Sequence, residues 1–304
     1  MTLQQKNILS VRDMERGEID HILSVAAEFD RGNFTGRELD GKILAVLFFE
    51  PSTRTRMSFS SAMMRLGGGV LNLGSVEASS ISKGETLSDT IRVTSGYADA
   101  IVLRHPKEGA ARLASQVATV PVINGGDGAG QHPSQTLLDL YTIRESMPLE
   151  NIDIGMLGDL RYGRTVHSLA FALSKYNRIR IHTIAPEGLD FPKNLREDLS
   201  EEGIELICHE KIEEVLPELD VLYVTRLQRE RLPDPVAFAN YSAMYRVTPK
   251  LLETAKPGMI VLHPLPRVGE IDPGVDALPC AKYFEQAHNG IPVRMAMLNE
   301  VMSQ

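Results

Sequence analysis

The segment FFEPSTRTRMSF, residues 48–59, places hydroxyl and guanidinium side chains directly after an apolar run. Pro51 is expected to end a strand, and Ser52 to cap the helix that follows, because serine is a favoured N-cap residue. The N–H groups of the first helical turn have no partners within the helix, so this turn could bind an anion. Donors suited to a phosphate group would come from Ser52, Thr53, Arg54 and Thr55.

A second interpretation of this segment needs no ligand. Capping alone would explain Ser52, and the arginines would then lie on a solvated surface. Even with a ligand present, Arg54 and Arg56 would point to different sides of the helix, because residues two apart do not share a face. We therefore expect only one of these two arginines to reach a bound anion.

The composition and net charge of the chain argue against two classes of binding partner, nucleic acids and membranes. The chain has 304 residues, 43% of them hydrophobic and 24% charged, which is typical of a folded protein with about two domains. Its net charge of -8 repels nucleic-acid phosphates and no basic patch offsets it, so no nucleic-acid partner is expected. The N-terminus lacks an apolar signal core, and no apolar run approaches the ~20 residues that span a bilayer. We expect a cytoplasmic protein with no membrane contact.

Neither a cofactor nor a metal ion is expected. Cys208 and Cys280 lack partners at metal-ligand spacing and cannot form a disulfide framework. The run IDIGMLGD contains Gly155 and Gly158 but not the G-x-G-x-x-G motif of dinucleotide-binding proteins. Five further histidines show no grouping with cysteines or carboxylates that would suit zinc: His21, His167, His182, His209 and His288.

Short apolar runs alternate along the chain with segments of helical character. Runs that are apolar at consecutive positions suit strands buried on both faces, as in a parallel sheet covered by helices. We therefore predict an α/β fold with two domains, each with a mainly parallel sheet covered by helices. The predicted strands are 43–49, 99–104, 120–125, 152–159, 178–186, 220–226 and 259–266.

The segments between these runs carry helical patterns. In SFSSAMMRLGGG, the apolar residues Phe59, Met63 and Leu66 recur at helical spacing before a glycine stop. Further helices are predicted in GETLSDTIRVTSGYA, PSQTLLDLYTIRES and RTVHSLAFALSKY. The tail IPVRMAMLNEVM has apolar residues at the same spacing, and we predict that it is a core helix that returns to the first domain.

In open parallel sheets, ligands bind beyond the carboxyl ends of the strands. Six of the runs end here in polar or charged segments: EPSTRT, RH, GGDGAGQHPSQ, DLRYGR, RLQ and HPLP. Four of these six ends carry an arginine. In an acidic protein, that arrangement favours a small ligand with several negative charges.

Six motifs, in this order, resemble those of the catalytic chains of the aspartate carbamoyltransferase family: PSTRTR, LRHP, GGDGAGQHPSQTLLDL, GDLRYGRTVHSL, LYVTRLQRERL and HPLPR. The similarity extends from about residue 40 to the last helix. STRTR alone would indicate only the wider carbamoyltransferase superfamily. Its ornithine-specific members are characterised by a cysteine where this chain has Pro264, so the resemblance favours aspartate as the acceptor.

The resemblance implies the aspartate/ornithine carbamoyltransferase fold. A carbamoyl-phosphate-binding domain would comprise 1–133 and 288–304, and an aspartate-binding domain 134–287. The amino group of L-aspartate would attack the carbonyl carbon of carbamoyl phosphate, giving N-carbamoyl-L-aspartate and phosphate for pyrimidine synthesis. Negative charge would develop on the carbonyl oxygen and the departing phosphate, so positioned donors matter more than a covalent nucleophile.

The resemblance also assigns roles to single residues. Carbamoyl phosphate would be held by Ser52, Thr53, Arg54, Thr55, Ser79, Arg104, His132, Gln135, Pro264 and Leu265. The catalytic residues would be Arg54, Thr55, Lys83, Arg104 and His132. Arg104 would bridge the phosphate and the carbonyl oxygen, and His132 would donate to that oxygen. Gln135 would hold the carbamoyl amide, while the carbonyls of Pro264 and Leu265 would fix the amide and the attacking amine.

Aspartate brings two carboxylates, and the resemblance assigns it Lys83, Arg164, Arg226, Gln228 and Leu265. Two guanidinium groups match a dicarboxylate better than ornithine, whose second amine they would repel. Glu50 and Arg231 also lie at family positions, where they orient the substrate arginines and hold the two domains closed.

The segment SSISKGETLSD contains what the family contributes to the adjacent subunit's site, Ser79 and Lys83. Its glycine and polar residues suggest a loop that closes over the phosphate, to which Lys83 would add positive charge. Ser80 or Ser82 could supply the hydroxyl instead of Ser79. The resemblance implies a homotrimer with shared active sites, and the sequence leaves open whether a separate regulatory chain binds it.

Two alternatives stay open. A noncatalytic anion-binding homologue could retain the pocket as a sensor or scaffold, although every mapped catalytic position holds the expected residue type. A carbamoyltransferase for another amine acceptor is the second alternative, and Arg164, Arg226, Gln228 and the HPLP motif argue against it.

Overall fold

The computed structural model describes residues 6–74, 80–227, 241 and 244–303. The chain forms two compact units, one comprising Met1–Tyr141 with Asn289–Gln304 and the other Thr142–His288. The divisions between the units therefore fall after 141 and after 288, whereas the sequence placed the domain boundaries after 133 and after 287.

The first unit is built on a parallel sheet with the strand order β2-β1-β3-β4. Its strands are β1 (Ile43–Phe48), β2 (Gly69–Asn72), β3 (Ala100–His105) and β4 (Val122–Asp127). The helices along this part of the chain are α1 (Arg16–Asp30), α2 (Thr53–Arg65), α3 (Leu87–Ser95), α4 (Ala110–Val117) and α5 (Pro133–Ser146). The first division between the units lies within α5.

The second unit repeats this plan with the strand order β7-β6-β5-β8-β9, again in parallel pairs. Its strands are β5 (Ile152–Leu157), β6 (Ile179–Ile184), β7 (Glu205–His209), β8 (Val221–Val224) and β9 (Ile260–Leu262). The helices are α6 (Arg164–Leu173), α7 (Lys193–Glu201), α8 (Pro249–Leu252) and α9 (Tyr283–Met302), and α9 continues into the first unit. The predicted α/β class with two parallel sheets is confirmed.

Two strands were missed because they lie at sheet edges. β2 is exposed along most of its length, and β7 is at most half-buried. An edge strand need not be apolar on both faces, so neither segment has the continuous apolar run by which the central strands were recognised. Among the described residues, each pairs along one side only, β2 with β1 and β7 with β6.

The helices bury the faces that their sequence patterns indicated. Phe59, Met63 and Leu66 are completely buried around α2, and Gly67 follows with a φ of 86°, a conformation that glycine adopts without strain. In α9, the apolar residues at helical spacing in the tail IPVRMAMLNEVM are also buried, namely Met295, Leu298 and Met302. None of the helices in the described part of the chain combines the length and apolarity that a membrane crossing requires.

Gly158, just beyond β5, allows two strand ends to approach closely. Its φ is 117°, and a Cβ atom there would lie 2.3 Å from the carbonyl oxygen of Thr225. The N–H of Thr225 in turn donates to the carbonyl of Leu157 at 2.8 Å. This glycine therefore meets a packing requirement between β5 and β8, whereas the sequence had suggested only a comparison with a dinucleotide turn.

We predict that Gly158→Ala lowers the free energy of unfolding by at least about 3 kcal/mol, because the methyl group meets backbone that cannot move aside. Gly203→Ala is the matched control, since Gly203 also has a positive φ, 83°, but no atom of the described residues lies within 4 Å of its Cβ position. That control should lose about 1 to 2 kcal/mol. Urea unfolding of both variants measures the difference, and equal losses would contradict the packing explanation.

Candidate active site

The carboxyl ends of three neighbouring strands gather the candidate residues of the first unit. β3 lies between β1 and β4, with Phe48 level with Arg104 and His105 level with Asp127. The segments that leave these strands therefore start side by side at one edge of the sheet. They contain the start of α2, the Arg104 side chain and the loop that leads to His132.

The start of α2 has the form of an anion site. Ser52 is the N-cap residue, with extended backbone at φ -159°, but its hydroxyl accepts no capping hydrogen bond from the first turn. Thr55 is buried and Arg54 is exposed. Although the Arg54 side chain as a whole is exposed, partial desolvation of its guanidinium lowers its pKa, and a bound anion would again favour the charged form. Ser52 thus occupies the predicted position without using its side chain as a cap.

Arg104 is oriented from two sides. Its Nη2 lies 2.6 Å from Oε1 of Glu50, and its Nη1 donates to the carbonyl of Gly125 at 3.2 Å. The side chains of Arg104 and Glu50 are only 13% and 23% exposed, so water screens this ion pair weakly. The expectation that Glu50 orients a substrate arginine remains a prediction, to which the structure adds this contact.

The loop before His132 is built around the carboxylate of Asp127. Its Oδ1 accepts from the N–H of Gln131 at 2.8 Å and from Nδ2 of Asn124 at 3.0 Å. Its Oδ2 accepts from the N–H of Gly109 at 2.9 Å. Asp127 and Asn124 are buried, and neither was singled out from the sequence, in which an aspartate among glycines indicates only a turn.

His132 and Gln135 are held at the start of α5. The carbonyl of His132 accepts from the N–H groups of Gln135 and Thr136, and the His132 side chain is buried within the unit. Nε2 of Gln135 donates to Oδ1 of the fully buried Asp139 at 2.8 Å, which leaves the amide oxygen of Gln135 as its remaining polar atom. Gln135 lies one helical turn beyond His132, as the sequence indicated.

A buried arginine lies behind this edge of the sheet and was not anticipated. Arg294 of α9 is 3% exposed, and its guanidinium lies over the ring of Phe59 at 5.0 Å. Its Nη1 donates to Gly290 in its own helix, and its Nη2 donates to the hydroxyl of Ser134. Burial lowers the pKa of Arg294 to about 10. This side chain therefore connects α9 to α2 and to the start of α5.

The second unit presents a corresponding set at the ends of β5, β8 and β9, which are neighbours in its sheet. Arg164 is the first residue of α6, which follows β5. Arg226 is exposed two residues beyond β8, and Pro264 and Leu265 follow β9. Two guanidinium groups and two backbone carbonyls thus lie on segments that leave adjacent strands.

Leu265 has an unusual backbone conformation. Its φ is 54°, in the left-handed region that costs a residue with a Cβ about 1 to 2 kcal/mol. Its N–H donates to Nδ1 of His263 at 2.8 Å, and Nε2 of His263 lies 2.7 Å from Oε1 of Glu270. Burial raises the pKa of Glu270, but hydrogen bonds from His263 and from the Val268 N–H outweigh it, so the net pKa is lowered.

Ser79, Gln228 and Arg231 lie outside the described residues. Lys83 is exposed at the end of the short 3-10 helix Ser80–Lys83. Within the described part of the chain, no group of three His, Cys, Asp or Glu side chains could hold a metal ion.

Family models identify the class to which this arrangement belongs. Residues 6–145 match the carbamoyl-P binding domain of aspartate/ornithine carbamoyltransferases, and residues 150–301 match their Asp/Orn binding domain. The chain belongs to the aspartate/ornithine carbamoyltransferase family. The resemblance and the fold that the sequence motifs implied are confirmed.

Individual relatives that match this chain carry the name aspartate carbamoyltransferase or aspartate transcarbamoylase. A protein of Methanocorpusculum labreanum named aspartate carbamoyltransferase catalytic subunit is 81% identical over the full length of both chains. The catalytic subunit of M. jannaschii aspartate transcarbamoylase is 50% identical, with a TM-score of 0.92 over 97% of each chain. The aspartate transcarbamoylase of Trypanosoma cruzi in complex with carbamoyl aspartate and phosphate is 40% identical, with a TM-score of 0.90 over 99% of this chain and 97% of that one.

We predict that Asp127→Ala slows carbamoyl transfer about 10- to 100-fold, because the loop before His132 loses the carboxylate on which three donors converge and small misplacements have large effects on rate. The loss of a buried acceptor should also lower the free energy of unfolding by about 1 to 3 kcal/mol.

Asp13→Ala is the control for this prediction. It removes a carboxylate of the same unit whose ion pair with Arg112 is exposed, so stability should change by at most about 1 kcal/mol. Steady-state kinetics and thermal unfolding provide the two measurements. Unchanged turnover in a folded Asp127→Ala protein would show that the loop does not depend on this carboxylate.

Proposed function

We propose that the chain transfers the carbamoyl group of carbamoyl phosphate to the amino group of L-aspartate, giving N-carbamoyl-L-aspartate and phosphate in de novo pyrimidine biosynthesis. The observation that carries this proposal is the 81% identity, over the full chain, to an aspartate carbamoyltransferase catalytic subunit. The structure of the T. cruzi relative with carbamoyl aspartate and phosphate supports the same reaction. The chain is thus an enzyme, a carbamoyltransferase.

The first unit supplies the carbamoyl phosphate site in this proposal. Ser52, Thr53, Arg54 and Thr55 hold the phosphate at the start of α2, where the helix N-terminus favours negative charge. Arg104, fixed by Glu50, bridges the phosphate and the carbonyl oxygen. His132 donates to that oxygen, and the remaining amide oxygen of Gln135 accepts from the carbamoyl NH2 group.

These donors act where charge develops during the reaction. As the amine attacks, the carbonyl oxygen becomes negative, and the departing phosphate gains charge as the carbon–oxygen bond breaks. A single oriented donor to such an oxygen contributes about 2.7 to 4 kcal/mol, so Thr55, Arg104 and His132 together can account for much of the barrier reduction. Because these groups are oriented before the substrate binds, little reorganisation is needed during the step.

The second unit supplies the aspartate site in this proposal. Arg164 and Arg226, with Gln228, bind the two carboxylates, and the carbonyls of Pro264 and Leu265 accept from the carbamoyl amide and the attacking amine. Guanidinium groups bind carboxylates through two parallel N–H donors, whereas they would repel the second amine of ornithine. Two arginines beyond neighbouring strands β5 and β8 therefore favour a dicarboxylate acceptor.

The reaction is tested by phosphate release from carbamoyl phosphate with L-aspartate, with L-ornithine and without an acceptor. We expect release that depends on L-aspartate, with N-carbamoyl-L-aspartate as the product identified by mass spectrometry. Turnover with ornithine alone would show that the arginines have been assigned to the wrong acceptor. Silence with both acceptors would instead support the noncatalytic anion-binding alternative.

The assembly is a further part of the proposal. We propose a cytoplasmic homotrimer in which Lys83 and a nearby serine reach the site of the adjacent subunit, and that Lys83 contacts both the departing phosphate and aspartate. The exposure of Lys83 is compatible with such a contact. Ser79 is the proposed serine, with Ser80 and Ser82 as alternatives. Whether a regulatory chain binds this trimer is a separate question from catalysis.

We predict that mixing inactive Lys83→Ala and Arg54→Ala trimers under conditions of subunit exchange restores activity. Each variant alone lacks one group at every site, but a mixed trimer has interfaces at which a site regains both groups from different chains. Recovery should be absent when either variant is mixed with itself. Continued inactivity, with exchange verified by mass spectrometry, would mean that the two residues do not act across an interface.

A further inference from the structure

The segment after β9 is fixed by a buried hydrogen-bond chain that begins at Leu265. The inference drawn from it rests on the proposed function, because it concerns the carbonyl groups of Pro264 and Leu265. The Pro264–Leu265 peptide is trans, so the Pro264 carbonyl points away from the Leu265 N–H. Any group that fixes the direction of this N–H therefore also fixes the direction of the Pro264 carbonyl.

His263 is the group that accepts the Leu265 N–H, and the proton positions on its ring follow from its neighbours. A backbone N–H can only donate, so Nδ1 of His263 must be unprotonated to accept from Leu265 at 2.8 Å. The carboxylate of Glu270 can only accept, so Nε2 must carry the proton at a separation of 2.7 Å. The backbone and the carboxylate together select one neutral tautomer.

The second oxygen of Glu270 is also occupied. Oε2 accepts from the N–H of Val268 at 2.9 Å, so both carboxylate oxygens act as acceptors within the same segment. The backbone N–H of His263 is also satisfied, because it donates to Oε1 of Gln286 at 2.8 Å. The His263 side chain is 1% exposed and that of Glu270 is 11% exposed, which leaves water little access to replace a lost partner.

These hydrogen bonds support a backbone conformation that Leu265 would not adopt by preference. A left-handed residue with a Cβ persists only where its surroundings determine it, and such residues concentrate at functional sites. His263 fixes the Leu265 N–H directly through its Nδ1, and Glu270 acts indirectly by selecting the tautomer of His263. Neither side chain belongs to the set that the family resemblance assigned to the substrates.

We propose that Glu270 is a positioning residue for carbamoyl transfer: it keeps His263 protonated at Nε2, so that Nδ1 holds the Leu265 N–H and aims the Pro264 carbonyl at the substrates. Glu270 touches neither substrate in this proposal. Its contribution is to the orientation of a backbone acceptor, which must be correct to a fraction of an ångström for an attack geometry to form.

Glu270→Gln separates this role from simple packing. The glutamine has the same shape but only one acceptor oxygen, which the Val268 N–H requires. Its NH2 group then faces Nε2 of His263, moves the ring proton to Nδ1 and sets it against the Leu265 N–H. We expect kcat to fall about 10- to 100-fold. The KM for carbamoyl phosphate should change by a smaller factor than kcat, because only the carbonyl contact to its amide is disturbed and its phosphate ligands at α2 are untouched.

Glu285→Gln is the matched control for this experiment. It makes the same chemical change in the same unit, at an exposed side chain that pairs with Lys282 at 2.7 Å. Its kcat should equal that of the wild type. Full kcat in a folded Glu270→Gln protein would overturn the proposal.

A double-mutant cycle with His263→Asn tests the connection through the histidine. Oδ1 of asparagine can accept the Leu265 N–H in place of Nδ1. Because asparagine has no ring proton that can move between two nitrogens, this hydrogen bond does not depend on the residue at position 270. In the H263N background, E270Q should therefore change kcat by less than about twofold, far below its effect in the wild type. Equal effects of E270Q in both backgrounds would show that Glu270 acts independently of His263, and the proposal would be wrong.

A spectroscopic measurement on the wild-type protein tests the tautomer directly, without kinetics. With 13C- and 15N-labelled histidine, the His263 ring resonances, identified by their loss in H263N, should indicate protonation at Nε2 alone. Protonation at Nδ1 would overturn the proposal. Failure of the proposed function is a different result, because wild-type protein would then release no phosphate with L-aspartate even where His263 has the expected tautomer.

Discussion

Parallel pairing of buried strands is the constraint on which both units depend. It brings every carboxyl end to the same edge of a sheet, so residues far apart in the chain begin side by side. In the first unit this unites segments after β1, β3 and β4, and in the second it unites segments after β5, β8 and β9. Such strands must be covered on both faces, which explains both their continuous apolar sequences and the helices between them.

Carboxylates near the strand ends show how a chain with a net charge of -8 can present the groups that are proposed to bind anions. Glu50 is paired with Arg104, Asp127 accepts from donors of β4, of the start of α4 and of the loop before His132, and Glu270 is paired with His263. Each of these acidic side chains is paired with, or accepts from, a neighbouring donor of its own unit. A donor that is fixed before the substrate arrives loses little entropy on binding, which is the physical basis of preorganised catalysis.

The central strands could be predicted from the sequence, and the edge strands could not. Burial on both faces imposes consecutive apolar residues, as in Ile154–Leu157 of β5, whereas β2 and β7 pair with one neighbour each within the part of the chain that the structure describes. The motif residues of the site could also be identified from the sequence, because they directly follow apolar runs. Glycine, proline and charged residues directly after an apolar run indicate a strand end, and their order along the chain indicates the family.

The residues that support the motif residues from elsewhere in the chain left no comparable pattern in the sequence. Arg294 donates to Ser134, 160 residues earlier in the chain, and nothing in PVRMAML distinguishes an arginine buried against Phe59 from one in solvent. Glu270 is only seven residues from His263, but their contact depends on the path of a segment that includes the left-handed Leu265. Leucine is not a residue whose presence indicates that conformation. Residues that contact ligands are therefore constrained by chemical type, which a sequence displays, whereas residues that orient them are constrained by geometry, which only the folded chain displays.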